Sequence, residues 1–282
     1  MENNLPEISV LLPVYNTNPT HLKECIESIL NQTFGDFELI ILNDASTENL
    51  DDIINSYDDK RIRYYKNAVN SGITKTRNKL LSLANGKYIA ICDHDDISVP
   101  ERFEKEYEFL TKNPDFSIVS GWIETFNEDT GKKKVWKKKP FPKFFDFLKE
   151  CELLHPACMW RKADFEKFNL KYEEGYFGVQ DYAMFSKAIR YMKFANLQEV
   201  LLKYRKHKNN ASNQRQKMCT EEYRVQCEMI DFLSSDRRER KLIYDKFALP
   251  KASFAENIFS IKNVQNQKII RILGFVIKFK RF

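Results

Sequence analysis

The sequence of 282 residues predicts an α/β fold in which helices flank a mostly parallel, Rossmann-like sheet. Short apolar runs, typical of strands buried on both faces, alternate with segments of helical periodicity. Polar clusters follow the ends of these strands. Hydrophobic residues make up 43% of the chain, with 22 Phe and 13 Tyr, so the chain can bury a sizeable core. Closely alternating strands and helices indicate parallel strands joined by crossover helices.

The first hundred residues contain the clearest elements. Residues 8–14 are a continuous apolar run that suits a buried strand. Residues 20–31 have helical spacing, with Thr20 as the expected N-cap. The elements expected next are strands at 38–42, 61–65 and 87–92, and helices at 48–56, at 73–84 and from Pro100 onward.

The rest of the chain is less regular. Strands are expected at 117–126, 133–138 and 197–205, and helices at 143–150, 161–168 and 181–192. Beyond residue 217 the pattern is mostly helical and charged.

Composition excludes several classes of protein. The net charge of +6 favours anionic partners but is too small to indicate nucleic-acid binding. The six cysteines form no Cys-x-x-Cys pair, which disfavours a zinc site and predicts reduced thiols. The first ten residues do not resemble a signal peptide, and no run of about 18 apolar residues occurs, so we expect a cytoplasmic protein. No Gly-x-Gly-x-x-Gly, Walker or Gly-x-Ser-x-Gly motif is present.

Four polar clusters follow four separate predicted strands. They are Asn16, Asp44, residues 67–72 and the run Asp93-His94-Asp95-Asp96. Open α/β sheets bind ligands at the carboxyl ends of their strands, so these clusters are expected to meet in one crevice. Crowded carboxylates suit Mn2+ or Mg2+, which commonly bridge to substrate phosphates. We therefore expect Asp93 and Asp95 to hold a cation, and Asp96 to cap the following helix.

Other candidate residues have two interpretations each. Asp44 can accept a hydrogen bond from a nucleotide base or form an Asx turn. Arg77 can reach a diphosphate or remain a solvated charge. Asp181 can remove a proton from an acceptor hydroxyl or cap its helix. His207 lies in a basic run, where a histidine is usually a surface residue.

Together these segments resemble glycosyltransferase family 2, inverting enzymes of the GT-A fold. The resemblance covers about residues 6–213. The matching segments are 9–16, 28–33, 38–44, 70–78 and 86–96, with weaker matches at His155, at Gln180-Asp181 and at residues 204–207. The resemblance implies a GT-A domain at 1–215, with a nucleotide-binding half at about 1–98 and an acceptor half at 99–215. The helical, charged pattern of the remaining residues predicts a helical C-terminal extension at 216–282.

The resemblance also implies a role for each matching residue. Asp181 would be the catalytic base, and His155 and Gln180 would lie on the acceptor side. Asp95 of the Asp-x-Asp motif would be the direct metal ligand, assisted by Asp93 and His207. The nucleotide sugar, expected to be a UDP-sugar, would be bound by Pro13, Val14, Tyr15, Asn16, Asp44, Asn70, Gly72, Arg77, Asp93 and His94.

The chain departs from the family pattern in two places. The usual Asp-Asp-Gly-Ser is Asn43-Asp44-Ala45-Ser46, so the turn is expected to differ slightly, and the usual Glu-Asp is Gln180-Asp181. The Gln-x-x-Arg-Trp motif of processive synthases is absent, which indicates transfer of a single sugar. A pyrophosphorylase is disfavoured because no glycine-rich loop follows the first strand. Joint retention of Asp93, Asp95 and Asp181 argues against a non-catalytic nucleotide-sugar-binding protein.

The acceptor is the least determined feature. Residues 268–282, drawn as a helix, put apolar residues on one arc and most basic residues on the other. This pattern predicts contact between residues 265–282 and the cytoplasmic face of an anionic inner membrane, or packing on the protein or a partner subunit. Six lysines between 132 and 139 suggest a solvated hairpin or contact with acceptor or lipid phosphates. A lipid-linked acceptor in lipopolysaccharide or capsule synthesis is expected; the oligomeric state stays open.

Overall fold

The computed structural model describes residues 5–208, 210, 215–234, 236 and 238–239, together with three strands between 259 and 280. The chain divides into two compact units. One comprises residues 1–176 and 180–213, and the other comprises 177–179 and 214–282. None of the helices in these described ranges is both long and apolar enough to cross a membrane.

The first unit is built around a nine-stranded sheet whose first four strands are parallel, in the order β3-β2-β1-β4. Every residue of β1 and β2 is buried, which explains their uninterrupted apolar runs. The strands are β1 (Ile8–Val14), β2 (Phe37–Asn43), β3 (Ile62–Lys66) and β4 (Tyr88–Ile91). The connecting helices are α1 (Pro19–Leu30), α2 (Asp51–Asn55) and α3 (Ile73–Leu83). The predicted α/β fold is confirmed.

The sheet continues beyond β4 with mixed strand directions. The remaining strands are β5 (Ile97–Ser98), β6 (Phe116–Asn127), β7 (Lys133–Trp136), β8 (Met159–Arg161) and β9 (Lys193–Lys206). The helices of this half are α4 (Arg102–Lys112), α5 (Phe144–Phe147), α6 (Lys162–Lys167) and α7 (Gln180–Ala188), with a 3-10 turn at His155–Ala157. The β6–β9 pair is parallel, and the other pairs are antiparallel. The strand predicted at 133–138 therefore forms a hairpin with β6.

The close approach of β1 and β4 depends on a glycine. The Gly86 N–H donates to Ser9 Oγ at 2.7 Å, and a Cβ at Gly86 would lie 2.5 Å from the backbone nitrogen of Ser9. Ser9 Oγ in turn donates to Glu38 Oε1 at 2.6 Å. These hydrogen bonds tie together the N-terminal ends of β1, β2 and β4.

Two helix starts differ from the prediction. Helix α1 is capped by Asn18, not Thr20, because Asn18 Oδ1 accepts from the backbone of Thr20 at 2.9 Å. Helix α4 begins at Arg102, with Glu101 as its N-cap, rather than at Pro100. The prediction that Asp96 caps this helix is wrong: Asp96 Oδ1 accepts from the backbone N–H of Arg205 at 3.0 Å.

Two short strands were not predicted. Strand β5 has two residues and pairs with β9, while β8 has three residues and lies between β4 and β6. Runs this short carry no readable periodicity, and their extended conformation is fixed by pairing with strands distant in sequence.

The second unit contains α8 (Arg215–Leu233) and an antiparallel sheet of β10 (Phe259–Val264), β11 (Gln267–Ile272) and β12 (Phe275–Lys280). The prediction that 268–282 forms an amphipathic helix is therefore wrong. Its Ile, Val and Phe residues favour strands, and Gly274, between β11 and β12, disfavours one continuous helix.

Candidate functional site

Two adjoining cavities lie at the carboxyl ends of the parallel strands in the first unit. The larger has a volume of about 760 Å³ and the smaller about 260 Å³. They share four lining residues, which are Pro13, Tyr15, Ile73 and His94. The N-terminus of α3 borders both, since Ile73 is its first residue. This position is the one expected for a ligand in an open α/β sheet.

Asp44 organises the wall of the smaller cavity. Its Oδ1 accepts hydrogen bonds from Asn67 Nδ2 at 2.6 Å and from Ser71 N and Oγ, both at 2.9 Å. Its Oδ2 accepts from Gly72 N at 2.9 Å. Burial alone would raise the pKa of Asp44, but these hydrogen bonds outweigh it and lower the pKa. Asp44 is therefore an ionised carboxylate that holds the turn before α3, where Gly72 has a φ of 83°.

The turns after β1 and β2 are joined by Asn16. Its Oδ1 accepts from Thr47 N at 2.9 Å, and its backbone N–H donates to Ser46 Oγ at 3.0 Å. Asn16 and Ala45 both adopt the left-handed conformation, with φ of 46° and 58°. The turn that carries Ala45 in place of the usual glycine thus keeps a positive φ.

Arg77 and Asp93 form an ion pair in the larger cavity. Arg77 Nη2 donates to Asp93 Oδ1 at 3.0 Å, and the guanidinium lies 5.5 Å from the ring centre of Tyr172. Burial acts to lower the pKa of Arg77, but Asp93, Tyr172 and Asp181 outweigh it and raise that pKa. Arg77 Nε is buried and has no hydrogen-bond partner among the described residues. Arg77 is therefore a fixed positive charge.

Asp95 contacts two side chains from the segment after β9. His207 Nε2 lies 2.7 Å from Asp95 Oδ2, and Asn210 Nδ2 donates to the same oxygen at 3.3 Å. His94 Nδ1 lies 4.0 Å from Asp95 Oδ1, beyond hydrogen-bond distance. Residues 95 and 207, separated by more than a hundred positions, are thus brought together at the cavity wall.

Arg205 holds the 93–96 loop in place through a hydrogen bond to its backbone. Its Nε donates to the carbonyl oxygen of Asp95 at 2.9 Å, and its guanidinium pairs with Glu24 and Glu128. Its side chain is only 2% exposed. Asp96, the last residue of this loop, has a pKa well above its ordinary value because of burial and the nearby charges of Asp95 and Asp93.

Asp181 lies in the first turn of α7, near Arg77 and Tyr172. Burial raises the pKa of Asp181, although the charge of Arg77 acts in the opposite direction. His155 is buried, and its Nε2 lies 2.8 Å from the hydroxyl of Tyr172. Burial and the charge of Arg77 lower the pKa of His155 to about 3, so it is neutral near pH 7. His155 is therefore a buried, neutral side chain in contact with the Tyr172 hydroxyl.

Most predicted site residues line one or both cavities. The larger is lined by Pro13, Tyr15, Asn16, Arg77, Asp93, His94, Asp95 and His207, and the smaller by Pro13, Val14, Tyr15, Asp44, Asn70, Gly72 and His94. Asp181, His155 and Gln180 are not among the lining residues. Gln180 is the first residue of α7 and is half-buried.

The donors around Asp95 suit a shared divalent cation. Across the described residues, no group of three His, Cys, Asp or Glu side chains forms a complete metal cage. The carboxylate of Asp95 and the imidazole of His207 nevertheless lie at one point of the cavity wall, with Asp93 two positions before Asp95. One or two protein ligands suffice where substrate phosphates and water complete the coordination. The residues present therefore fit Mn2+ or Mg2+ bound together with a phosphate ligand.

Sequence reasoning missed Arg205, Tyr172 and Asn210. Alternation along the predicted strand 197–205 puts Arg205 on the same face as the exposed Lys203, so its burial could not be read from the sequence. Tyr172 and Asn210 lie outside regular elements and carry no local signal either.

Comparison with known proteins gives one family. Residues 9–191 match the model of glycosyl transferase family 2. A glycosyltransferase from Methanocaldococcus jannaschii is 38% identical over 213 residues, covering 72% of each chain. One from Haemophilus influenzae is 32% identical, covering 74% of this chain and 68% of the relative.

Solved structures share the fold at low sequence identity. S. aureus TarS 1–349 in complex with UDP-GlcNAc is 19% identical, with a TM-score of 0.68, covering 86% of this chain and 71% of that one. The mannosyltransferase PcManGT from Pyrobaculum calidifontis, in complex with GDP-Man and Mn2+, is 16% identical, with a TM-score of 0.63, covering 87% and 70%.

Proposed function

The chain belongs to glycosyl transferase family 2 and is a glycosyltransferase, and we propose that it transfers a single sugar, with inversion, from a UDP-sugar to a saccharide or lipid-linked acceptor. One observation carries the proposal. The cavity that contains Asp44 adjoins the cavity that contains Asp93, Asp95 and His207, and the two share Tyr15 and His94. A nucleoside in the smaller cavity would have its diphosphate in the larger one.

The smaller cavity suits the uracil base. Asp44 Oδ2 accepts one hydrogen bond from the protein, which leaves a lone pair for an imide N–H. Tyr15 is 44% exposed and offers a ring on which a base can pack. Pro13 and Val14 complete the apolar side. In this proposal residues 1–98 form the nucleotide-binding half of the domain and residues 99–215 form the acceptor half.

The larger cavity supplies groups for the diphosphate. The guanidinium of Arg77 is a fixed positive charge that can donate to phosphate oxygens. Asp95, with Asp93 and His207, would hold Mn2+ or Mg2+. When bound, that ion would neutralise the charge that develops on the leaving diphosphate. The complexes of UDP-GlcNAc with TarS, and of GDP-Man and Mn2+ with PcManGT, support this arrangement by fold analogy.

Asp181 would remove the proton from the acceptor hydroxyl. Its raised pKa makes it a stronger base than an ordinary aspartate, while Arg77 favours its ionised form. The hydroxyl oxygen would attack the anomeric carbon as the bond to the diphosphate oxygen breaks. Attack from the face opposite the leaving group inverts the anomeric centre.

The cellular setting is also a proposal. The last fifteen residues contain five basic residues and no acidic one, which would favour contact with an anionic membrane surface. The predicted helix no longer supports that contact. We propose that the enzyme works in the cytoplasm, bound peripherally to the inner membrane, and that it builds lipopolysaccharide or capsule.

Binding and turnover can be tested separately. UDP-sugars are screened with Mn2+ for protection against thermal unfolding, and UDP release is then followed with the best donor. Asp181→Asn is expected to keep UDP binding and lose UDP release. Asp95→Asn is expected to lose the Mn2+-dependent part of binding. The exposed Asp115→Asn is the matched control and should match the wild type in both. Equal UDP release by Asp181→Asn and the wild type would refute the assigned base.

A further inference from the structure

An aromatic and basic surface borders the larger cavity, on the strands β6, β7 and β9. Trp136 and Tyr204 have ring centres 5.7 Å apart, and Lys206 Nζ lies 5.2 Å from the ring centre of Trp136. Thr125 pairs with Lys134 on one side and with Tyr204 on the other. Side chains two residues apart on a strand share a face, so Lys134, Trp136, Tyr204 and Lys206 lie on the same face of the sheet. We call these four residues the aromatic platform.

The aromatic platform is continuous with the candidate active site. Tyr204 lines the larger cavity together with Asp95 and His207. It also packs against the apolar cluster that contains Ala157. Ala157 belongs to the same 3-10 turn as His155, which contacts Tyr172 beneath Arg77. The platform is thus linked, through this 3-10 turn, to Tyr172 and Arg77, which lie near Asp181.

The two lysines of the platform form no ion pair with a described residue, whereas three lysines of the 132–139 cluster do. Lys133, Lys138 and Lys139 pair with Glu124, Glu150 and Asp146 respectively. Lys134 and Lys206 are exposed, and neither forms an ion pair with a described residue. Only part of the lysine cluster is therefore neutralised within the protein, and the unpaired charges flank the aromatic rings.

We propose that the aromatic platform is the acceptor subsite, and that it binds a saccharide that carries an anionic group. The flat ring of Trp136 can pack against the apolar C–H face of a pyranose. Lys134 and Lys206 would meet a phosphate or carboxylate on that saccharide or on the sugar next to it. This proposal rests on the proposed function, because it assigns the acceptor of that same site.

The test uses small probes with the full chain held in saturating UDP and Mn2+, so that the donor cavity is filled. The probes are glucose 6-phosphate, glucuronate, glucose and inorganic phosphate, and binding is measured by isothermal titration calorimetry. The two anionic sugars are expected to bind more tightly than glucose or phosphate. The ratio of the Kd values of glucose 6-phosphate and glucuronate distinguishes recognition of a phosphate from recognition of a carboxylate. Trp136→Ala and the double variant Lys134→Gln/Lys206→Gln should each weaken this binding about fivefold or more.

Two control variants separate recognition from folding. Lys203→Gln removes an exposed charge from the opposite face of β9 and should leave binding unchanged. Trp136→Phe keeps an aromatic ring and should retain binding to within about threefold. UDP affinity should be the same in every platform variant.

The outcomes also distinguish the two proposals. Unchanged binding of the anionic sugars in Trp136→Ala would overturn the acceptor subsite, as would binding of these probes only when UDP is left out, which would put them in the donor cavity. Failure of the wild type to bind any nucleotide would count against the proposed function, while the probes would still report on the aromatic platform.

Discussion

Replacing Arg205 with methionine is expected to destabilise the first unit and loosen the loop that carries Asp95. Methionine fills a similar apolar volume but cannot donate a hydrogen bond. The lost bond from Nε to the Asp95 carbonyl, made by a charged donor, is worth about 1.5–3 kcal/mol. Each ion pair with the half-exposed Glu24 and Glu128 adds about 0.2–1 kcal/mol. The expected loss is therefore about 2–5 kcal/mol in the free energy of unfolding.

For a unit of this size, the loss should lower the melting temperature by at least about 4 °C. Because Arg205 supports a proposed metal ligand, we also expect Mn2+ affinity, measured calorimetrically with UDP present, to fall about 10–100-fold. Glu24→Gln is the matched control, since it removes one exposed partner and keeps the bond to Asp95; it should cost less than about 1 kcal/mol. A melting temperature within about 2 °C of the wild type, with unchanged Mn2+ affinity, would refute the assigned support.

Three further outcomes follow from single contacts. Ala45→Gly should raise the urea midpoint by the equivalent of about 0.5–1 kcal/mol, because the φ of 58° is strained for alanine; a lower midpoint would contradict this. Gly86→Ala should lower the stability by about 1–3 kcal/mol, because its Cβ would lie 2.5 Å from Ser9 N. A carboxyl whose pKa is higher in the folded chain binds its proton more tightly there. Its contribution to stability therefore falls as pH rises from the pKa of the unfolded chain to that of the folded chain. Asp181→Asn should therefore be more stable than the wild type near pH 7 and lose this advantage toward about pH 4; urea titrations at both values test the sign.

The sequence was most informative where a pattern is local. Strands β1 and β2 are buried on both faces, so their apolar residues run without interruption and can be recognised in isolation. Parallel strands have their carboxyl ends on one edge of the sheet, so chain order alone predicted that the segments after β1, β2 and β4 would meet. The family followed from the spacing of those segments. The catalytic and binding roles of individual residues stay predictions.

The tertiary structure decided which partner each polar group has. Pairing of Asp95 with His207, and support of its loop by Arg205, join positions more than a hundred residues apart, and no local pattern encodes such contacts. The sequence left two roles open for Asp44, an acceptor for a nucleotide base or part of an Asx turn. In the structure four hydrogen bonds from the 67–72 turn occupy much of its capacity.

In the C-terminal segment a local pattern predicted the wrong secondary structure. Residues 268–282 fit a helical arc, yet the chain forms strands β11 and β12 there. A short apolar and basic segment fits either periodicity. What the sequence determined by itself is the doubly buried parallel core and the carboxylates at its strand ends, because burial and strand direction follow from local pattern. Strand pairing, the neighbours of each charge and the platform beside the cavity were decided only by the tertiary structure, because they depend on which distant segments come together.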